Sequence, residues 1–321
     1  MPVTDKKLLA IAGYGRYAPS VHNTQPWLFE FDDDKIAVHI NKNRLLDAGD
    51  PVKRQAWISL GCCVEAICVG SKSLGLEPSI SAVNDGYVVI KFKDKPKRVN
   101  KHDTVLAKSI STRFTDRSVF SQETLSKAQL STLQSIEPIA GTSIKVISDR
   151  DIIEMVAKLT SQGIRLALSN PDFRSELAKF VTPPLSRRQD GIPTSSLRLN
   201  TIGGLLELAL IRSGLNIKLR AVQEYKSWNS ASAIILVLSK GDSREYWLNA
   251  GRTYLRCALE STVLGLRSAT SAAIVEAADF HEDIEKEVHS NMRLQTVMRV
   301  GKSDSKPVYS KRLPMELLKL H

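Results

Sequence analysis

The chain carries one helical pattern twice, 190 residues apart. The segments AWISLGCCVEAICVGSKSLGLEPSI from Ala56 and YWLNAGRTYLRCALESTVLGLRSAT from Tyr246 align without gaps. They share Trp57/Trp247, Gly61/Gly251, Ser71/Ser261 and Leu74-Gly75-Leu76/Leu264-Gly265-Leu266. Each predicts an apolar helix that ends at a glycine, which tolerates the left-handed conformation after a helix, while the inner glycine permits close packing. Chance similarity of two amphipathic helices is the alternative. A duplicated unit in one chain would mimic a two-fold homodimer, with ligand sites between its halves.

The predicted helices and strands of the whole chain divide into two such units. The basic stretch 93–104 is the predicted boundary, giving units 1–104 and 105–321. Residues 170–225 fit the repeat poorly and predict an insertion, a candidate lid. Periodicity and turn residues predict helices at 5–18, 54–75, 103–117, 123–135, about 150–168, near 200–213 and at 246–265. The predicted strands are a hairpin from Trp27 to His39, segments near Ile80 and at Tyr87–Phe92, Ser143–Ser148, Ser232–Leu238 and 294–301.

Composition narrows the class of protein. With 42% hydrophobic and 25% charged residues the chain is not disordered, and its longest apolar run, Ala233–Leu238, is too short for a membrane span. We expect no signal peptide, no disulfide scaffold from the four cysteines, and a cytoplasmic location. Lys plus Arg exceed Asp plus Glu by 45 − 34 = +11, which favours anionic ligands. The densest basic cluster, Lys91–Lys101, is broken by Asp94 and Pro96, so we expect neither nucleic acid nor membrane as partner.

Three short motifs carry candidate chemistry. The segment Ala18–Trp27 places hydroxyl and amide groups between two prolines, which suits a polar ligand or a helix-to-strand turn. In Arg113-Phe114-Thr115-Asp116-Arg117 the two arginines would share one face if the stretch were helical, which suits a phosphate and a polyol, or simply a solvated face. The third, Ser310-Lys311-Arg312-Leu313-Pro314, is a further anion site or a basic tail.

Together the three motifs resemble the FMN-dependent nitroreductase family. The first is similar to the P-S-x-x-N-x-Q-P-W signature at Pro19, Ser20, Asn23, Gln25, Pro26 and Trp27. The second resembles the R-x-S-x-[KR] signature, and the third the closing [KR]-x-R-x-P segment, with Ser310 where a basic residue is usual. The motif order resembles the tandem, Acg-type members. That resemblance implies an α+β, three-layer fold in which two units form an intrachain pseudo-dimer with antiparallel-type sheets flanked by helices.

The resemblance also implies residue roles. Arg113, Lys311 and Arg312 would neutralise the FMN phosphate, with Phe114, Thr115 and Arg117 beside the phosphate or ribityl chain. Ser20 and Asn23 would contact the flavin ring or ribityl chain from the other half, with the Pro19 and Val21 backbone close by. A backbone N–H near Ala272 would approach the flavin N5, and Gln223 and Lys226 are weaker candidates for the ring edge. No catalytic acid or base is expected, because the flavin carries the hydride chemistry.

The leading functional hypothesis is an FMN-dependent NAD(P)H oxidoreductase that reduces quinones, nitroaromatics or similar small molecules by a ping-pong mechanism. The alternative is an FMN-sequestering protein whose lid covers the flavin and limits turnover. A third hypothesis, an anion- or nucleic-acid-binding protein without flavin, is supported only by the net positive charge. Each motif occurs once, so the resemblance implies one FMN per chain, in a monomer or a weak homodimer.

Overall fold

The first half of the chain builds one antiparallel sheet around a buried helix. The computed structural model describes residues 5–94 and 99–320. Its first elements are α1 (Asp5–Arg16), β1 (Trp27–Asp32), β2 (Lys35–Ile40), α2 (Arg54–Ser73), β3 (Leu76–Asn84) and β4 (Tyr87–Asp94). The strands pair in the order β1-β2-β4-β3, all antiparallel. The predicted hairpin and the strands near Ile80 and at Tyr87–Phe92 are confirmed.

The second half repeats the arrangement with a longer set of elements. Helices α3 (Lys101–Thr112) and α4 (Lys127–Gln134) precede β5 (Thr142–Ile147) and α5 (Arg150–Ser169). After the insertion come β8 (Ala233–Ser239), α9 (Arg244–Val263), β9 (Arg267–Thr270), α10 (Ala273–Glu276), α11 (Phe280–Glu287) and β10 (Arg293–Gly301). Its sheet has the order β5-β8-β10-β9, again antiparallel. The architecture is therefore α+β.

The two repeated helices pack against each other through their matching glycines. A side chain on Gly61 of α2 would overlap the Leu248 carbonyl of α9, and one on Gly251 would overlap the Ile58 carbonyl. The contact is reciprocal, because position 58 in the first segment corresponds to position 248 in the second. The Cys62 thiol donates to the Gly251 carbonyl oxygen at 3.2 Å. Close backbone approach therefore explains why both segments carry glycine at this position.

The insertion, residues 170–225, contains four further elements. They are α6 (Pro171–Phe180), the two-residue strands β6 (Val181–Thr182) and β7 (Ile192–Pro193), and α7 (Thr201–Ser213). Helix α8 (Ile217–Asn229) starts inside the insertion but packs along α5, and its Trp228 lies in the second core. The insertion is bound to the first half: Glu176 accepts the backbone N–H groups of Asp47 and Gly49 at 2.6 and 2.8 Å.

Two predicted helix boundaries were wrong. Helix α3 ends at Thr112 rather than at residue 117, because Thr115 forms a parallel bridge with Ser268 of β9 and the intervening backbone is extended. Helix α4 begins at Lys127 rather than at 123, where Ser126 and Gln129 form a capping box. The sequence did not predict β9, α8, α10 or α11. No helix among residues 5–94 and 99–320 is long and apolar enough to cross a membrane. The basic cluster 91–101 lies partly outside the described residues, because 95–98 are not among them.

Candidate functional site

The buried Arg113 and the half-buried Arg312 face a small polar cavity. The small cavity, about 330 Å³, lies where the end of α3, the 18–27 loop, the insertion and the C-terminal segment meet. Arg113 and Arg312 both line it, and the Nε atoms of both are buried without a hydrogen-bond partner. Neither guanidinium has an ion pair within the described part of the chain. Burial lowers the pKa of both, and for Arg312 the charge of Arg113 adds to the effect. Two adjacent cations without a carboxylate constitute an anion site.

The loop between the two prolines has an unusual backbone that turns its polar groups inward. His22, Asn23 and Gln25 all have positive φ, of 48°, 55° and 51°. Asn23 donates through Nδ2 to the carbonyls of Gly191 and Lys311, and its Oδ1 accepts from Arg312 at 2.9 Å. The Asn23 amide is therefore fully used within the protein. It orients Arg312 and fastens the insertion, which differs from the predicted contact with the flavin ring or ribityl chain.

A larger cavity of about 910 Å³ adjoins the small one. Pro19, Ser20, His22, Thr115, Arg117 and Ile192 line both cavities. Val21 and Ala272 line the larger one only, together with Ser59 and Cys62 of α2, Tyr254 of α9 and Phe173 of the insertion. The Ala272 N–H, just before α10, has no hydrogen-bond partner in the part of the chain that the structure describes. The combined site thus has a cationic end and a roomy, mostly apolar end.

Two titratable side chains in the larger cavity are held neutral. Burial lowers the pKa of His22 to about 4, although the Glu176 carboxylate acts in the opposite direction. The His22 ring contacts Phe173 and Phe180 of the insertion, at centroid distances of 6.2 and 6.3 Å. Burial also raises the pKa of Tyr254 to about 12, against the neighbouring charge of Arg113. At neutral pH both therefore present uncharged surfaces to a ligand.

A buried carboxylate fixes the segment that follows α3. Asp116 is fully buried and accepts from Arg198 at 2.7 Å, from Ser305 at 2.5 Å and from the Ser118 N–H at 3.0 Å. Hydrogen bonds from these partners lower the Asp116 pKa despite the opposing effect of burial. The buried Arg299 donates to the Asp116 carbonyl at 2.9 Å. Arg113 and Arg117 flank Asp116, so this network sets where both arginines lie.

The chain is similar in sequence to two mycobacterial proteins. No protein-family model matches the chain. Over 295 residues it is 26% identical to the Mycobacterium tuberculosis H37Rv protein named "Putative NAD(P)H nitroreductase acg", covering 88% of this chain and 85% of that protein. "Uncharacterized protein Rv3127" of the same strain is 23% identical over 296 residues, with coverages of 88% and 83%.

Solved structures were compared as well. The FMN-dependent nitroreductase NfnB from Mycobacterium smegmatis, in complex with NADPH, aligns with 68% of this chain and 97% of that one at 14% identity and a TM-score of 0.45. A Desulfitobacterium hafniense nitroreductase with bound FMN aligns with 65% and 94% at 13% identity and a TM-score of 0.40. The sequence match to the mycobacterial relative covers most of both chains. This similarity agrees with the nitroreductase resemblance of the three motifs.

Most of the predicted site residues lie together around the two cavities. Arg113, Phe114 and Arg312 line the small cavity with Asn23, while Pro19, Ser20, Thr115 and Arg117 lie at the junction of the two cavities. Gln223 and Lys226 line the larger one. Lys311 lines neither cavity, because its ammonium group donates to the Ser186 carbonyl at 2.8 Å. The structure thus separates Lys311 from the arginine pair.

The sequence did not indicate several residues of the site. Ser196, from the insertion, lines the small cavity and accepts from Arg117 at 3.4 Å. Tyr254 lies in the repeated helix α9, outside the three motifs. Glu276 accepts from Arg54 at 2.7 Å and from Gln55 at 2.7 Å at the edge of the larger cavity. These residues come from distant parts of the chain, so spacing along the sequence gave no signal.

Proposed function

We propose that this protein is an FMN-binding oxidoreductase that uses NAD(P)H. The observation that carries the proposal is the pair of carboxylate-free guanidinium groups of the buried Arg113 and the half-buried Arg312. They face a polar cavity that continues into a much larger, mainly apolar one. A phosphate monoester joined through a polyol to a flat apolar ring has this same division of polarity. Its mycobacterial relative is named an NAD(P)H nitroreductase, in agreement with the proposal.

The residues present fit FMN. Arg113 and Arg312 would hold the phosphate, since each has donors that no protein acceptor uses. Thr115, Ser20 and Arg117 lie at the junction of the cavities, where a ribityl chain would pass. Val21, Ser59 and Tyr254 would line the ring, and the free N–H of Ala272 would favour added negative charge on it. Asn23 would act indirectly by orienting Arg312.

When bound, FMN supplies hydride transfer between NAD(P)H and a quinone, nitroaromatic or similar flat acceptor, in ping-pong order. The chain's own contribution is binding and enclosure. His22 and Tyr254 stay neutral at the wall of the larger cavity, so they add no charge beside the ring. A volume of about 910 Å³ accommodates a second flat molecule beside an isoalloxazine ring.

We also propose one site per chain, within an internal duplication of units 1–104 and 105–321. The reciprocal packing of Gly61 and Gly251 supports the duplication, because an isologous contact of this kind is typical of two-fold related copies. The Arg113 motif and the Ser20–Asn23 motif each occur once in the sequence. One complete cationic site therefore results.

A second candidate function is FMN sequestration with little turnover. The attachment of the insertion favours it. Glu176 accepts three backbone N–H groups from residues 47–49, and Asp190 pairs with Arg44 at 3.0 Å. Gln25 donates to the Gln189 carbonyl at 2.9 Å. Several such contacts over the cavity would restrict the entry of a second substrate.

Anaerobic absorbance spectra of the FMN-loaded protein test both candidates. We expect a flavin band at one FMN per chain that bleaches on adding NADPH or NADH and returns with a quinone. A band that neither nucleotide bleaches would favour sequestration. Absence of a flavin band after incubation with FMN would refute both candidates. A stoichiometry near two would refute the single site while leaving the oxidoreductase proposal intact.

A further inference from the structure

Helix α7 has the reverse of the usual polarity for a surface helix. Its buried face consists of Gly204, Glu207 and Ile211, at positions i, i+3 and i+7. Its outer face carries Ile202, Leu205 and Leu206, with exposed fractions of 71%, 60% and 56%. A soluble helix normally buries its aliphatic face and exposes its carboxylates.

The buried carboxylate explains how the helix is held in this orientation. Glu207 is buried and pairs with Arg220 of α8, and it also accepts from the Asn216 amide at 3.2 Å. The side chain of Glu207 thus links α7 to the start of α8 and lines the larger cavity. Turning α7 to bury its leucines would break this ion pair and leave a charge without its partner, which is costly. The aliphatic face is therefore held outward.

The apolar surface continues on the connection and on α8. Leu215 is 82% exposed, and Leu219 and Val222 follow on the same face of α8 at positions i+4 and i+7. Five aliphatic side chains thus lie outward on α7 and α8, and Leu215 lies exposed on the connection between them. Scattered exposed leucines are ordinary on a soluble protein, but a clustered set on successive helices marks an interaction surface.

The charges beside this surface are positive. Arg212 and Lys218 are exposed at the junction of α7 and α8 and have no ion pair among the described residues. Aliphatic side chains flanked by unpaired basic residues are complementary to a layer of apolar chains beneath anionic headgroups.

We propose that the α7–α8 surface, formed by Ile202, Leu205, Leu206, Leu215, Leu219 and Val222, docks on an anionic phospholipid membrane. A second copy of this chain is the less favourable occupant. A two-fold interface through this surface would enclose the unpaired Arg212 and Lys218 of both copies, and none of the six aliphatic residues of the surface offers a carboxylate to offset them. The inference is independent of the proposed function, because it concerns binding rather than redox activity.

Co-sedimentation of the full chain with vesicles tests the proposal. We expect binding to phosphatidylglycerol-containing vesicles, weak binding to pure phosphatidylcholine, and loss of binding at high salt. The double variant Leu205→Gln/Leu206→Gln keeps helix-forming residues and should weaken binding by at least about tenfold. Removing the charges of Arg212 and Lys218 should weaken it by about fivefold each. Leu317→Gln, on an equally exposed leucine outside this surface, is the matched control and should bind as the parent protein does.

Two results of the vesicle experiment would refute membrane docking. Equal binding by the double variant and the parent protein would refute the proposal, as would equal binding to neutral and anionic vesicles. Sedimentation equilibrium without lipid tests whether a second copy of this chain binds the surface instead. A dimer that Leu205→Gln/Leu206→Gln dissociates, without vesicle binding by the parent protein, would assign the surface to a second copy. Circular dichroism melting of each variant verifies that it is folded.

Discussion

Replacing Arg113 by methionine should weaken FMN binding without weakening the fold. Methionine keeps much of the apolar stem of arginine and removes the guanidinium. Most mutations in a buried site destabilise the protein. Arg113 differs because it is buried beside Arg312 without an acceptor for its Nε, and burial already lowers its pKa. The protein without ligand thus bears the cost of a buried cation that no carboxylate offsets.

The magnitude follows from the hydrogen bonds that a phosphate would accept. Hydrogen bonds to charged groups contribute about 2–3 kcal/mol, so the FMN dissociation constant should rise roughly 30- to 150-fold. The free energy of unfolding without FMN should stay constant or increase by about 1 kcal/mol, because a desolvated charge is removed. The two effects have opposite signs, which a general packing defect would not produce.

Fluorescence titration with FMN and with riboflavin measures the first effect, and urea unfolding measures the second. Riboflavin lacks the phosphate, so its affinity should be the same for Arg113→Met and the parent protein. Lys311→Met is the control, since that lysine is a basic residue next to Arg312 that lines neither cavity, and it should change FMN affinity little. Equal loss of riboflavin and FMN affinity, or equal effects of the two variants, would refute the assignment of Arg113 to the phosphate.

Three further predictions concern packing, pH and the insertion. Gly61→Ala should lower the free energy of unfolding by about 1–3 kcal/mol, because the added methyl group overlaps α9. Gly13→Ala, in open space on α1, should raise it by about 0.5–1 kcal/mol. Melting temperatures that change in the same direction for both variants would contradict this prediction. The pKa of His22 is about 4 in the folded protein and 6.5 in the unfolded chain, so protonation of His22 favours unfolding. The neutral His22 therefore contributes roughly 1–3 kcal/mol to the free energy of unfolding above pH 6.5, and this contribution is lost as the pH falls from 6.5 to 4. Asparagine tolerates the positive φ of this position, so His22→Asn should fold and should remove this pH dependence. Burial raises the pKa of Asp50 to about 6, which changes stability with pH in the opposite direction. The quantity to measure is therefore the difference in unfolding free energy between variant and parent at each pH. Glu176→Ala removes three hydrogen bonds of the insertion and should accelerate FMN dissociation several-fold in stopped-flow measurements, with an unchanged rate arguing against a covering role.

Much of this protein could be read from local sequence patterns. The repeat predicted both long helices, and their glycines predicted a close approach that the structure places between Gly61 and Gly251. The strands of both sheets apart from β9 were evident, because alternation and turn residues act over a few neighbours. The arginine and proline motifs indicated a phosphate-binding site. Charge, size and backbone restriction are properties of the residues themselves, so they can be recognised in the sequence before the fold is known.

Tertiary structure alone decided which of these residues face the cavities. Residues 113–117 are not helical, because Arg113 has extended backbone and Thr115 forms a bridge with Ser268, which is 153 positions away. Asn23 lines the small cavity and accepts from Arg312, whereas the ammonium of Lys311 donates to the Ser186 carbonyl and lines neither cavity. The aliphatic face of α7 is held outward by the ion pair between Glu207 and Arg220. Each outcome depends on contacts between distant segments, whose free energies exceed local preferences and leave no pattern along the chain.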